Sequence, residues 1–203
     1  MKVAIYGHSQ AQPTGLADDL FYALKKRGHQ VLRLGLAGKS DKVLLERVDE
    51  LGDWQDADRI VLYGHSTGNG STKQQTVALL THLGLDRTIL VLPPLNLSRG
   101  AGQPKADLPE TNAQRIADHD KKVAYFGQYV PTFYMVGYDQ DFHKDRIHAR
   151  PGTPPGKGLL AKLLVALELE KPPSSPVRPA GSLLLPLALL GAAVWWFRRP
   201  RGA

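Results

Sequence analysis

The chain has no cysteine among its 203 residues, and its basic and acidic side chains nearly balance over most of its length. Without cysteine, a disulfide framework, a thiolate nucleophile and a zinc–cysteine site are all excluded. Much of the net charge of +7 comes from residues 171–203, which carry five basic side chains and no acidic one. The 21 basic and 19 acidic residues of 1–170 leave only +2, which argues against a nucleic-acid-binding domain.

A single long apolar run lies near the C-terminus. The proline-rich stretch 171–181 predicts a semi-rigid linker, and the run SLLLPLALLGAAVWWF at 182–197 follows it. At about 1.5 Å per residue, a helix over this run would span roughly 24 Å, a little less than a hydrocarbon core of about 30 Å. The paired tryptophans and arginines at its end are typical of a membrane interface. We therefore predict a single-pass transmembrane helix at 182–197 with a basic tail at 198–203. A terminal helix packed on the domain is the alternative.

The side of the membrane on which the domain lies stays open. Gly7 and His8 interrupt the first apolar run, so the N-terminus lacks the pattern of a secretory signal peptide. This favours a domain that faces the cytoplasm. The three arginines after the apolar run favour the opposite orientation, because cations flanking a span prefer the cytoplasmic side. We expect the cytoplasmic arrangement, since no export signal is evident.

Residues 1–170 alternate between strand-like and helix-like patterns. Short apolar runs rich in β-branched residues occur at 2–7, 30–36, 58–64, 87–94 and 130–137. Apolar residues at helical spacing separate these runs and recur at 110–121 and 157–168. This alternation predicts one α/β domain with three layers, in which a central parallel sheet of flavodoxin-like type carries helices on both faces.

The tetrapeptide Tyr-Gly-His-Ser occurs twice, and each copy ends a predicted strand. The copies place Ser9 and Ser66 at the carboxyl ends of parallel strands, where such sheets bind ligands. A serine hydroxyl becomes a nucleophile when a base lies within hydrogen-bond reach and a third group orients that base. Both serines are therefore candidate nucleophiles.

One histidine follows an acid at a useful spacing. Asp145 and His148 stand three residues apart, after the last predicted strand and before the closing helix. On one tight turn the carboxylate can hold the imidazole Nδ1–H while Nε2 faces the sheet edge. Together with a serine after the first strand, this pair predicts a Ser-His-Asp arrangement.

These segments resemble the SGNH hydrolases, also called GDSL esterases and lipases, over roughly residues 1–168. In that family the nucleophile follows the first strand, and an Asp-x-x-His pair lies near the C-terminus. The resemblance implies Ser9 as nucleophile, with His148 and Asp145 completing the triad. In the glycine block LGLAGKS it implies Gly38 as an oxyanion donor. In the third block, LYGHSTGNG, a strict alignment places Ser66 where the family has asparagine, and Asn69 lies three residues further on, so either could donate.

Two other functions remain open. The segment GHSTG at 64–68 fits the Gly-x-Ser-x-Gly elbow of α/β-hydrolases, with Ser66 as nucleophile and Asp139 or Asp141 as the acid. That interpretation lacks a well-placed histidine, since only His143 and His148 follow. A catalytically degenerate SGNH-like fold that acts as a membrane-tethered binding module is the second alternative.

The predicted chemistry needs no cofactor or metal. His65, His82 and His119 lack a second ligand at metal-binding spacing. The resemblance implies an esterase that forms an acyl-enzyme, and the apolar run at 182–197 predicts that this esterase is anchored in a membrane. The resemblance also implies a carboxylic ester as substrate, such as an O-acetylated glycan or a lipid, without choosing between them. The oligomeric state is not indicated.

Overall fold

The computed structural model describes residues 1–98, 112–144 and 148–169. The strands are β1 (Lys2–Gly7), β2 (Gln30–Gly35), β3 (Arg59–Tyr63), β4 (Thr88–Val91), β5 (Leu95–Asn96), β6 (Thr132–Phe133) and β7 (Val136–Gly137). The helices are α1 (Ala17–Lys26), α2 (Asp41–Glu46), α3 (Lys73–Leu83), α4 (Asn112–Phe126) and α5 (Pro154–Ala166). The predicted linker, transmembrane run and basic tail (171–203) lie outside the described residues. Among those that are described, no helix is long and apolar enough to cross a membrane.

Five strands form one parallel sheet in the order β2-β1-β3-β4-β6. This is the flavodoxin-like order, and β1 and β3 are its central neighbours. In such sheets the ligand crevice opens beyond the carboxyl ends of the strands where the winding reverses, which here is between β1 and β3. The predicted parallel α/β class is confirmed, and both Tyr-Gly-His-Ser copies end at this crevice.

Side chains of each central strand alternate between two apolar layers. Val3 and Ile5 of β1 pack with α1 and α5, whereas Ala4 and Tyr6 pack with α2, α3 and α4. Because successive residues of a strand point to opposite faces, a continuous apolar run predicts a strand covered on both sides. The helices on both faces give the three layers expected from the sequence.

The central pair β1 and β3 approaches closely at Gly7. Its φ is +143°, and a Cβ built on it would lie 2.1 Å from the carbonyl oxygen of Tyr63. That oxygen accepts the hydrogen bond from His8 N at 2.9 Å. Only glycine permits this approach, which brings the two strand ends, and the serines after them, side by side.

The predicted strand 130–137 is in fact two strands in different sheets. β6 pairs with β4 in the main sheet, and β7 pairs with β5 in a separate two-stranded sheet. Pro93 and Pro94 follow β4 and cannot donate to a ladder, so the chain leaves the main sheet and resumes pairing at Leu95. Of the helices predicted between the strand-like runs, α2 is short: it ends at Glu46, and a 3₁₀ turn follows at Val48–Leu51.

Candidate active site

Ser9 and His148 meet beyond the carboxyl end of β1. Nε2 of His148 lies 2.6 Å from Oγ of Ser9. This is the length of a hydrogen bond in which the hydroxyl donates to an unprotonated imidazole nitrogen. The structure therefore brings together a serine and a histidine that are 139 positions apart in the sequence. Asp145, the predicted acid, lies outside the described residues.

Each partner is held by the backbone around it. Ser9 opens a short 3₁₀ turn (Ser9–Ala11) directly after β1, so its position follows from the strand. The segment carrying His148 is closed by a bridge between Phe142 and Ala149 and by a 2.8 Å hydrogen bond from His143 N to His148 O. The histidine thus projects from a short closed loop just before α5.

Arg33 supports the turn that contains the nucleophile candidate. Its half-buried guanidinium donates to the carbonyl oxygen of Ala11 at 2.5 Å, to that of Gln12, and to the carboxylate of Asp18 at 2.6 Å. A planar guanidinium can satisfy several acceptors at once in one orientation, which a lysine cannot do. The backbone just after Ser9 is therefore tied to β2 and α1.

Two cavities meet at Ser9. The Arg115 cavity, of about 140 Å³, is lined among others by Ser9, Ser66, Val91, Leu92, Pro93 and Arg115. The His148 cavity is larger, at about 600 Å³, and is lined among others by Ser9, Gln12, Thr14, His143, Lys144 and His148. Ser9 is the residue that the two linings share. A substrate bound at Ser9 can therefore extend in two directions.

The predicted oxyanion donors differ in whether they line one of these two cavities. Ser66 lines the Arg115 cavity together with Ser9. Gly38 lies in an exposed turn, and Asn69 is half-buried in the 3₁₀ turn Thr67–Asn69. Neither Gly38 nor Asn69 is among the described residues that line the two cavities.

The groups that the α/β-hydrolase alternative needs are not assembled in the described part of the chain. No hydrogen bond joins the Ser66 hydroxyl to a histidine there. The Asp139 carboxylate accepts from the side chain of Asn96, and the Asp141 carboxylate accepts from Tyr138 N. His143 Nε2 lies 3.1 Å from the carbonyl oxygen of Thr14. Each candidate acid therefore has a partner other than an imidazole.

A buried contact between a histidine and a carboxylate lies directly beside the nucleophile candidate. His8 Nε2 is 2.9 Å from Oδ1 of Asp41, and the two side chains are 5% and 0% exposed. The Asp41 carboxylate also accepts from His65 N at 2.9 Å and from the Thr76 hydroxyl at 2.5 Å. One carboxylate therefore ties the segments after β1 and β3 to helix α3.

The Asp41 carboxyl is ionised in this setting. Burial alone raises its pKa, but the hydrogen bonds from His8 and Thr76 favour the charged form and leave the pKa below the ordinary value. A carboxylate only accepts, so the Nε2 hydrogen of His8 must point towards Asp41. His8 Nε2 then has no free lone pair, so Ser66 N, at 3.3 Å, cannot donate a hydrogen bond to it. The Ser66 N–H is directed at His8, so the hydroxyl is the group that Ser66 can offer at the wall of the Arg115 cavity.

His65 completes the buried network. Its Nδ1 lies 2.8 Å from the Thr76 hydroxyl oxygen, which in turn donates to Asp41. The hydroxyl has one hydrogen, so His65 must be the donor in its own contact. Burial, chiefly, lowers the pKa of His65 to about 4. His65 is therefore neutral at physiological pH.

Sequence reasoning did not identify Asp41, Thr76 or Arg115. Asp41 follows Ser40 at the start of a helix, where an acidic residue usually has an ordinary capping or dipole role. Nothing in a linear pattern shows that it would be buried. The available signal was His8, because a histidine that directly follows a buried strand calls for a hydrogen-bonding partner.

Comparisons with known proteins identify the fold. No protein-family model and no curated protein matches the sequence. Solved structures do match in shape. A GDSL-like lipase from Bacteroides thetaiotaomicron superposes with a TM-score of 0.52 at 15% identity, over 84% of this chain and 88% of that one. The lipase/acylhydrolase from Enterococcus faecalis gives a TM-score of 0.53 at 16% identity, over 83% and 94%.

A third neighbour comes from a different kind of enzyme. A variant of an acetyl xylan esterase from Geobacillus stearothermophilus gives a TM-score of 0.53 at 16% identity, over 85% of this chain and 97% of that one. The described domain is therefore a three-layer α/β/α domain with the fold of these solved structures. More particularly, it has the fold of the SGNH or GDSL hydrolases, as the sequence resemblance predicts.

Proposed function

We propose that this protein is a serine esterase that cleaves a carboxylic ester through an acyl-enzyme on Ser9. The observation that carries the proposal is the 2.6 Å separation of Ser9 Oγ and His148 Nε2 at the crevice of an SGNH-type sheet. A general base must lie within about 2.6–3.2 Å of the proton that it removes, and His148 meets this requirement without rearrangement. Asp145 is the proposed acid that orients His148.

The proposed reaction needs only the chain's own groups and water. His148 Nε2 takes the Ser9 proton as Oγ bonds to the carbonyl carbon, which gives a tetrahedral oxyanion. The ester C–O bond then breaks, and the imidazolium returns the proton to the leaving alcohol oxygen. Water, deprotonated by the same nitrogen, attacks the acyl carbon; the bond between this carbon and Ser9 Oγ then breaks as the imidazolium returns the proton to Oγ, which releases the carboxylic acid and regenerates Ser9 and neutral His148.

The oxyanion is proposed to be held by Ser9 and Ser66. Within the described residues Ser9 N–H forms no hydrogen bond, and Ser66 offers a hydroxyl at the wall of the Arg115 cavity. Donors aimed at the developing charge are worth about 2.7–4 kcal/mol each in such sites. The resemblance also proposes Gly38 and Asn69, but neither residue is among the described residues that line the two cavities, which favours Ser66.

The sequence supports a further proposal, that residues 182–197 anchor the domain in a membrane. Extraction of the full chain by detergent but not by carbonate would support an anchor, and release by carbonate would exclude it. Protease digestion of sealed vesicles would then show on which side of the membrane the domain lies.

A fluorophosphonate probe tests the nucleophile in the full-length chain. The probe phosphonylates activated serines, and trypsin then separates the two candidates into peptides 3–25 and 60–73. Labelling of 3–25, lost in Ser9→Ala, supports the proposal. Labelling of 60–73 would instead support the α/β-hydrolase mechanism. No labelling and no hydrolysis of short p-nitrophenyl esters would favour a binding module.

A further inference from the structure

The two cavities at Ser9 have different chemical roles under the proposed function, on which this inference rests. His148 must protonate the leaving oxygen, so the alcohol part of the ester has to lie within reach of its Nε2. The His148 cavity is the one that this residue lines. The acyl part then occupies the Arg115 cavity, on whose wall Ser66 presents the proposed oxyanion donor.

The Arg115 cavity limits the length of the acyl group. A cavity of about 150 Å³ holds one benzene molecule, so the cavity volume of about 140 Å³ suits a group of roughly six non-hydrogen atoms. Its walls are largely apolar near the strand end, where Val91, Leu92 and Pro93 lie. A long fatty acyl chain would have to extend out of it.

Arg115 differs from the other arginines of the described residues in the acceptors that its side chain contacts. Six others each donate to a carboxylate or backbone carbonyl oxygen within 3.3 Å, namely Arg27, Arg33, Arg47, Arg59, Arg87 and Arg150. Among the described residues, the guanidinium of Arg115 makes one polar contact, to the side-chain oxygen of Asn112 at 3.4 Å, which is long for a hydrogen bond. No carboxylate among the described residues pairs with it or lines the cavity.

Arg115 is half-buried, and its guanidinium has no anionic partner among the described residues, so its N–H groups can bind an anion. Arginine matches the planar geometry of a carboxylate and binds it through two parallel hydrogen bonds. We propose that the acyl group of the substrate is short and ends in a carboxylate, which Arg115 binds while Ser9 attacks the ester carbonyl. The substrate would then be a monoester of a small dicarboxylic acid, rather than a neutral acetyl or fatty acyl ester.

Two substrates with the same four-carbon acyl chain test this inference. Monoethyl succinate carries the terminal carboxylate and ethyl butyrate does not, and a pH-stat follows acid release from both with the full-length chain. We expect kcat/KM to favour monoethyl succinate by on the order of 10- to 100-fold, the worth of one charge-assisted pair. Arg115→Gln should remove this preference, and Arg115→Glu should reverse it.

Matched variants separate a local contact from a general charge effect. Lys121→Gln removes one charge from the same helix at a side chain that is 77% exposed and should leave the preference unchanged. Lys144→Gln removes the cation that lines the His148 cavity. Loss of the succinate preference in Lys144→Gln but not in Arg115→Gln would overturn the proposal, and so would an equal preference in all variants.

Binding of the product acid keeps the test independent of catalysis. We expect Ser9→Ala to bind succinate more tightly than butyrate in calorimetry, and the added Arg115→Gln change to abolish the difference. If the wild-type chain hydrolyses ethyl butyrate but neither prefers nor binds the dicarboxylate, this inference is wrong while the esterase proposal stands. If it hydrolyses neither ester yet binds succinate through Arg115, the esterase proposal fails and the anion site remains.

Discussion

Asp41 Oδ1 lies 2.9 Å from His8 Nε2, and this buried pair joins the residue before the nucleophile candidate to the segment that carries Ser66. The carboxylate holds His8, the backbone of His65 and the hydroxyl of Thr76 at once. Neither Tyr-Gly-His-Ser copy is therefore positioned independently of the other. Their relative position depends not only on the close approach at Gly7 but also on Asp41, which belongs to neither copy.

The carboxylate of Asp41 should be essential for stability. Replacing it by the isosteric amide in Asp41→Asn leaves His8 and Thr76 without their charged acceptor, and removing one partner of a buried pair costs about 3–5 kcal/mol. Urea unfolding at pH 7, followed by far-UV circular dichroism, measures the change in the free energy of unfolding. Glu46→Gln, in the same helix at a side chain 57% exposed, should change it by less than about 0.5 kcal/mol. A similarly small effect of Asp41→Asn would show that the network contributes little.

His65 should make stability fall as the solution becomes acidic. Its pKa of about 4 in the folded chain lies below the value of about 6.5 expected when unfolded. Protons therefore bind preferentially to the unfolded chain between these values, and the stability that is complete above about pH 6.5 is lost as the pH falls towards 4. Between pH 7.5 and 5 we expect a loss of about 2 kcal/mol from this group.

His65→Asn isolates that contribution. His65 has a φ of +58°, a conformation that asparagine tolerates well, so the change removes the titrating ring without new backbone strain. We expect the variant to be less stable at pH 7.5 but to lose about 2 kcal/mol less than the wild type on going to pH 5. Parallel losses in the two proteins would assign the pH dependence to other groups.

Gly7 should not tolerate a side chain. In Gly7→Ala the new methyl group would lie 2.1 Å from the backbone oxygen of Tyr63, and neither strand can move without breaking the central ladder. We expect a loss of more than about 4 kcal/mol, or failure to fold. Gly68→Ala, close to Ser66 and with no atom within 4 Å of the added carbon, is the control. A soluble Gly7→Ala protein with a near-wild-type urea midpoint would show that the spacing of β1 and β3 does not require glycine here.

The two serines should differ in what they contribute to hydrolysis. Ser9→Ala removes the proposed nucleophile and should lower kcat by about 10³-fold or more. Ser66→Ala removes only a hydroxyl donor, so a loss on the order of 10- to 10³-fold is expected. Steady-state hydrolysis of one short ester by the two variants gives the comparison. The reverse order of effects would make Ser66 the nucleophile.

Local pattern was sufficient for most of the fold. Continuous apolar runs followed by amphipathic spacing predicted β1 to β4 and the helices between them. A parallel strand that is buried on both faces is apolar at nearly every position, so the sequence shows it directly. The run at 130–137 did not reveal its division between two sheets. That division depends on the prolines after β4, some forty residues earlier, and pairing partners are not encoded in the strand itself.

For the site, the sequence by itself determined that a serine ends each of two central strands and that a histidine with a nearby acid precedes the last helix. Only the tertiary structure decided that His148 contacts Ser9 and not Ser66, that Asp41 is the buried partner of His8, and that Arg115 faces the same cavity as both serines. Strand ends are local features, whereas distances across a sheet edge follow from strand order, winding and side-chain burial. These properties arise only when distant segments pack together, so the composition of any one segment does not contain them.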